Sequence, residues 1–327
     1  MLSATANGSQ ALAAVEQRPD PDRTWDDPQT RPGFLRDVLT LGKARISVMA
    51  VFTGWTAIAL EGSRLHEPLF QLGCLAALFL LGLGCNTFNQ IFERHKDAAM
   101  ARTRVRRPLP AGRIGLGTAV ALGSGELLLA HVLLMLVGAG WAAAGWAAFT
   151  AVYYCLLYTL YLKPRHWFGI VVGGVPGAMG PVIAWAAAAG HAGMAAWILF
   201  AIIFLWTPPH VWALAIKLKE DYAQAGIPML PVVKGVDETT RAIFRYTVVL
   251  VAGSLALPLL ARDDFSGPLY WIAAVVLGGI FLVWTWRLWR RRPVMPTMPL
   301  FRYTLLYIGV VFLAIAIDGL SKGGTFR

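Results

Sequence analysis

Three side chains able to bind a hard cation recur at four-residue intervals near the end of a long apolar run. They are Asn89, Glu93 and Asp97, within NTFNQIFERHKDAAMARTRVRRPLPAG, residues 86–112. On a helix each step of four advances about 400°, so the three drift only about 80° around the axis and form one polar face roughly 12 Å long. Arg102, Arg104, Arg106 and Arg107 follow at once, and Pro108 then breaks the pattern. Oxygen donors beside a cluster of guanidiniums suit a divalent cation that carries a phosphorylated substrate. Mg²⁺ takes one or two carboxylates and completes its shell with phosphate oxygens and water, and Arg adds planar, multidentate phosphate recognition. The same residues also have a plainer reading. A membrane helix leaving the bilayer often ends in Asn, Glu and Lys, and the arginines after it then serve only to fix topology.

A second polar stretch, WTPPHVWALAIKLKEDYAQAGIPMLPVVK, covers residues 206–234. His210 and Lys217 are two turns apart and Lys217 and Asp221 one turn, so each pair shares a helical face. Asp221 is a candidate for a second metal ion and Lys217 for a phosphate; the alternative is an ordinary helix end with a Lys–Asp pair. Beside the first stretch the metal reading gains weight, because two helices four apart in sequence deliver acidic groups to one membrane face. Lys163, which closes the run Tyr158-Thr159-Leu160-Tyr161-Leu162, is either a cation at that face or an anchor whose head reaches the interface. Glu126 and His131 lie inside an apolar segment, where charge is costly. They point about 140° apart and do not form one site; a neutral Glu126 bonded to a neighbouring helix is expected. Asp318, near the end of the last segment, is expected at the interface.

The elements that must hold these groups follow from hydropathy. Of 327 residues, 57% are hydrophobic and 14% charged, against about 25% charged in soluble domains. Nine apolar segments are long enough to span a bilayer as helices, at about 43–60, 68–92, 116–137, 140–162, 167–189, 193–215, 243–261, 269–288 and 301–320. The chain therefore reads as an all-α polytopic membrane protein. Residues 1–35 form a polar, disordered tail without a signal-peptide pattern, residues 36–320 one domain of nine helices around a central cavity, and residues 321–327 a short tail. With nine crossings, 25 of the 29 Lys and Arg fall on one side, which puts the N-terminus in the cytoplasm and the C-terminus outside. The net charge of +11 is thus explained by topology, and nucleic acid is not an expected partner. Cys74, Cys85 and Cys155 lie in apolar runs without ligand spacing and read as small core residues.

Over residues 36–320 the chain resembles the protohaem IX farnesyltransferase family, a branch of the intramembrane prenyltransferases. The marks are Asn89-Gln90-x-x-Glu93-Arg94 through Asp97, Met100, Arg102-Thr103 and Arg107-Pro108-Leu109, then Tyr158-Thr159-x-x-Leu162-Lys163 and Pro209-His210-x-Trp212. Asp221-Tyr222-x-x-Ala225-Gly226-Ile227-Pro228-Met229-Leu230-Pro231 is similar to the haem branch in particular. There are departures: His95 stands where that family usually has Asp, and Ala44 where it usually has Pro. Two residues from both Glu93 and Asp97, His95 points about 160° away from Glu93 and is expected not to be a ligand.

The resemblance implies farnesyl diphosphate and haem B as substrates and Mg²⁺ as cofactor. It implies metal ligation and catalysis by Asn89, Glu93, Asp97 and Asp221. Substrate-binding roles are implied for Lys43, Arg45, Arg94, Arg102, Arg107, Lys163, His210 and Lys217, with His210 either an axial ligand to haem iron or a hydrogen-bonded residue of the bundle. The implied product is haem O for terminal oxidase assembly, made at the cell (inner) membrane. Haem A synthase or oxidase assembly proteins are the implied protein partners, and the lipid bilayer the medium. Two rivals remain: a prenyltransferase for an aromatic or quinone-precursor acceptor, and a membrane transporter. A transporter's ionisable groups would sit near the midplane between repeats, whereas here the dense polar motifs lie at one membrane face.

Overall fold

A computed structural model of the chain describes residues 32–265, 267–290 and 296–323. Among these, nine helices are long and apolar enough to cross a membrane: α1 (Ala44–Glu61), α2 (Pro68–Ala99), α3 (Leu116–Leu136), α4 (Gly140–Arg165), α5 (Gly169–Ala189), α6 (Met194–Lys217), α7 (Gly235–Ala261), α8 (Pro268–Arg290) and α9 (Thr297–Lys322). They match the nine segments expected from hydropathy. The larger differences lie at polar ends: α2 runs on through the charged residues to Ala99, and α7 begins at Gly235, ahead of its apolar run. Hydropathy marks only the part of a helix facing lipid or core, and both extensions carry polar faces that the protein itself satisfies. The expected N-terminal tail lies outside the described residues up to residue 31, and a short helix, Phe34–Leu41, precedes α1.

Neighbouring helices pack in sequence order, and α9 also packs on α1 and α6, so the bundle closes on itself. The central helix is α5, with 61% of its most apolar window buried, against 28% for α3 and α8. Small residues allow the close approaches. A Cβ on Gly319 of α9 would lie 2.6 Å from the Ala59 carbonyl oxygen of α1, and one on Gly180 of α5 would lie 3.0 Å from the Ala50 oxygen. Such contacts take the place of a hydrophobic driving force between helices in lipid.

The ionisable groups inside the bundle are hydrogen-bonded. Thr87 of α2 donates to Glu126 of α3 at 3.0 Å, the interhelical bond expected of an intramembrane Glu. His131 Nδ1 instead lies 2.8 Å from the Leu127 carbonyl of its own helix. Asp318, near the end of α9, faces the start of α8. It is buried and accepts the backbone N–H groups of Leu269 and Tyr270 at 3.4 and 2.8 Å, which satisfies donors at the start of α8 that have no partner within the helix.

Candidate active site

The face formed by Asn89, Glu93 and Asp97 exists as spaced in the sequence, and all three residues are buried on α2. Each meets a partner brought from another part of the chain. Lys43 Nζ donates to Asn89 Oδ1 at 2.6 Å, and Asn89 Nδ2 donates to Thr159 Oγ1 at 3.3 Å. Glu93 Oε1 lies 2.5 Å from Lys163 Nζ, and its Oε2 lies 3.8 Å from Arg107 Nη1. The same Arg107 nitrogen donates to Asp97 Oδ2. Three basic groups thus surround two carboxylates.

Local structure explains how the partners arrive. Lys43 follows the short helix Phe34–Leu41 and has φ 50°, the one non-glycine residue with positive φ among those described. That left-handed turn is strained for a side chain with a Cβ and is held from α2. Gln90 Nε2 donates to the Thr40 and Leu41 carbonyls at 2.9 and 2.7 Å, filling acceptors left open at the helix end. Burial, then the charges of Arg107 and Lys163, push the Lys43 ammonium down to about 7, because an ammonium is disfavoured both away from water and beside other cations. Arg107 is set by the turn after α2. Thr103 Oγ1 donates to the Asp97 carbonyl at 2.7 Å, and Arg113 bonds both Asp37 oxygens at 3.0 and 3.1 Å while donating to the Val105 and Arg106 carbonyls.

Lys163 directly follows a π-helical stretch, Tyr153–Leu162, inside α4. A π-helix advances more residues per turn than an α-helix and recurs at functional sites. Here it lets Thr159 reach Asn89 while donating to the Tyr154 carbonyl at 2.8 Å, five residues back. Tyr154 in turn donates to Asn86 Oδ1 at 3.1 Å. Tyr154, Thr159 and Asn86 were not singled out from sequence for these bonds. Their signal is a five-residue register, which a search for helical spacing passes over.

The remaining expected residues stand elsewhere. Arg45 and Lys217 are exposed, and Arg94 donates to the Ile91 carbonyl of its own helix at 3.2 Å. The side chain of Arg102 lies outside the described residues. His95 is exposed, on the side of α2 away from the cluster. His210 Nδ1 lies 2.6 Å from Thr304 Oγ1, and its ring is stacked between Trp206 and Phe301, with centroids at 4.3 and 4.5 Å. The helix expected to carry Lys217 and Asp221 on one face is interrupted at Leu218, where ψ turns to 20°, and Asp221 belongs to a short second helix, Lys219–Gln224. The segment after it does reach α2: Met100 packs with Ala215, Ile227 and Met229, with Tyr222 against them. The two polar stretches therefore meet through apolar contacts beside the cluster.

Among the described residues no three His, Cys, Asp or Glu side chains gather as a ready metal cage. The donor set still fits Mg²⁺, which prefers hard oxygens and uses one or two carboxylates together with substrate phosphates. Glu93 and Asp97 are such donors, one turn apart, with the Asn89 amide oxygen beside them. Their charge is met by Lys163 and Arg107.

The comparisons with known proteins agree with this architecture. The family model described as the UbiA prenyltransferase family matches residues 49–317. A protein from Jannaschia sp. (strain CCS1) named "Protoheme IX farnesyltransferase" is 37% identical over 311 residues, covering 92% of this chain and 97% of its own. One of the same name from Bordetella petrii is 39% identical over 297 residues, covering 89% and 96%. In structure, a digeranylgeranylglyceryl phosphate synthase superposes with TM-score 0.71 at 20% identity, covering 88% of this chain and 99% of that one. A UbiA homologue from Archaeoglobus fulgidus bound to GPP and Mg²⁺ gives 0.56 at 15%, covering 85% and 99%. On the family model and on relatives matched nearly end to end, this chain belongs to the UbiA prenyltransferase family, in its protoheme IX farnesyltransferase branch.

Proposed function

We propose that the protein transfers the farnesyl group of farnesyl diphosphate to a vinyl group of haem B, with addition of water, to give haem O. The observation that carries this reading is the buried cluster of Asn89, Glu93 and Asp97 with Lys43, Arg107 and Lys163, in a chain so close to proteins named protoheme IX farnesyltransferase. Mg²⁺ held by Asn89, Glu93, Asp97 and Asp221 would offset the charge that develops on the departing diphosphate. Lys163 and Arg107 turn from the carboxylates to the phosphate oxygens, and Lys43 does the same from Asn89. These cations stabilise the leaving group most when the carbon–oxygen bond is breaking, which is where electrostatic stabilisation lowers the barrier. Loss of diphosphate leaves an allylic cation, the haem vinyl carbon attacks its terminal carbon, and water captures the cation that results. The apolar bundle around α5 keeps water from the first cation until the vinyl group has reacted.

Arg102 and Lys217 are assigned to the outer part of the diphosphate site, and Arg45 and Arg94 to its approach. His210 is assigned to packing between Trp206 and Phe301, with Thr304 at Nδ1, an orientation that also suits a histidine ligating through Nε2. The distribution of Lys and Arg supports a cytoplasmic N-terminus, and with it a cluster at the cytoplasmic face of the cell membrane. Haem A synthase and oxidase assembly proteins are the partners that a haem O product would call for. Product analysis of the purified protein with farnesyl diphosphate and either haem B or 4-hydroxybenzoate tests the acceptor. Farnesylated haem alone is expected; farnesylated 4-hydroxybenzoate with unmodified haem would move the protein to the aromatic-acceptor reading.

A further inference from the structure

A groove of about 600 Å³ opens between the start of α5, the end of α6 and the start of α7, and none of its lining residues belongs to the cluster around Glu93 and Asp97. Its walls are apolar and aromatic. Trp167 and Phe168 stand partly exposed on one side, Val171 and Val172 continue inward, and Tyr246 meets Trp212 edge-on at 5.2 Å across the floor. Its lip is basic. Lys234 is exposed, with Nζ 5.6 Å from the Trp167 ring centre, and the exposed Arg245 lies 3.5 Å from Glu238, which also takes Arg241 at 2.9 Å. One acidic group thus serves two arginines, and Lys234, immediately before α7, adds a further cation. The floor holds an unmet donor: Trp212 is 1% exposed, and its indole Nε1 has no hydrogen-bond partner. A buried N–H without an acceptor is costly.

We propose that this groove binds one anionic phospholipid. It lies where three membrane-spanning helices begin or end, the depth of lipid headgroups, and basic pockets between helices at that depth recognise anionic headgroups. The phosphate would sit between Lys234 and Arg245, an ester carbonyl would accept from Trp212 Nε1, and an acyl chain would lie along Val171 and Val172. A porphyrin fits the aromatic walls less well, because the lining holds no His, Cys or Met to take its iron. The site would steady the turn joining α4 to α5, which begins at His166, three residues after Lys163, and so the position of that cation.

Native mass spectrometry of the purified protein, with phosphatidylglycerol and phosphatidylcholine of identical chains, tests the proposal. One phosphatidylglycerol is expected to be retained at least about tenfold more tightly than phosphatidylcholine. Lys234→Gln with Arg245→Gln removes that preference. Trp212→Phe, which keeps the ring and loses only the N–H, weakens retention severalfold in protein of unchanged helix content by circular dichroism. Equal retention of the two lipids, or undiminished preference in both variants, overturns the proposal. So does one-for-one displacement of phosphatidylglycerol by haem B, which would make the groove an acceptor site.

Discussion

Asp97 and Glu93 lie one helical turn apart, and each is held by a cation. In the proposed reaction this pairing fixes the direction in which the carboxylates point toward metal and diphosphate. Asp97→Ala is therefore expected to lower farnesyl transfer by about 100-fold or more while the protein still inserts and folds, and excess chelator is expected to stop the native protein. Turnover of Asp97→Ala near the native rate, or full turnover in chelator, would show that the α2 face does not hold a catalytic metal. This face was legible in the sequence because its spacing is helical and its residue types are unusual beside an apolar run. Lys43 was not legible on physical grounds: it stands 46 residues from Asn89 and reaches it only through a left-handed turn that Gln90 holds in place.

At the scale of elements, the position of Arg107 depends on how the turn between α2 and α3 is fastened. Asp37, 4% exposed, and Arg113 tie that turn to the helix before α1, and Arg113 also holds the carbonyls of Val105 and Arg106. A double-mutant cycle on Asp37→Asn and Arg113→Gln, read from chemical unfolding, is expected to give a coupling of about 1–3 kcal/mol. Both variants should raise KM for farnesyl diphosphate, because Arg107 loses its support. A coupling near zero would mark the pair as an incidental contact. Hydropathy located the nine helices, but the clamp was hidden, since an acidic and a basic residue 76 apart carry no sign of pairing. The π-helical register of α4 was hidden for a related reason: its sequence is apolar on every side, so no periodicity records the extra residue per turn.

For the whole molecule, sequence order and hydropathy accounted for the bundle. The meeting of the two polar stretches was expected from both lying at one face, although the contact runs through Met100, Ile227 and Met229 rather than through acidic groups. Sidedness follows from charge: reporters fused after residue 64 and after residue 262 are expected to be active only outside the cell, and those in the loops after α2 and α6 only in the cytoplasm. The reverse pattern would turn the reaction site to the outer face. The central claim, that this bundle farnesylates haem, is tested most directly by mass spectrometry of haem extracted from membranes of a host that makes haem B but no haem O, expressing this chain or its Asp97→Ala variant. The native chain is expected to yield haem bearing one farnesyl group and one added water, and the variant only haem B. Unmodified haem alone from membranes that contain the folded native protein would contradict the account.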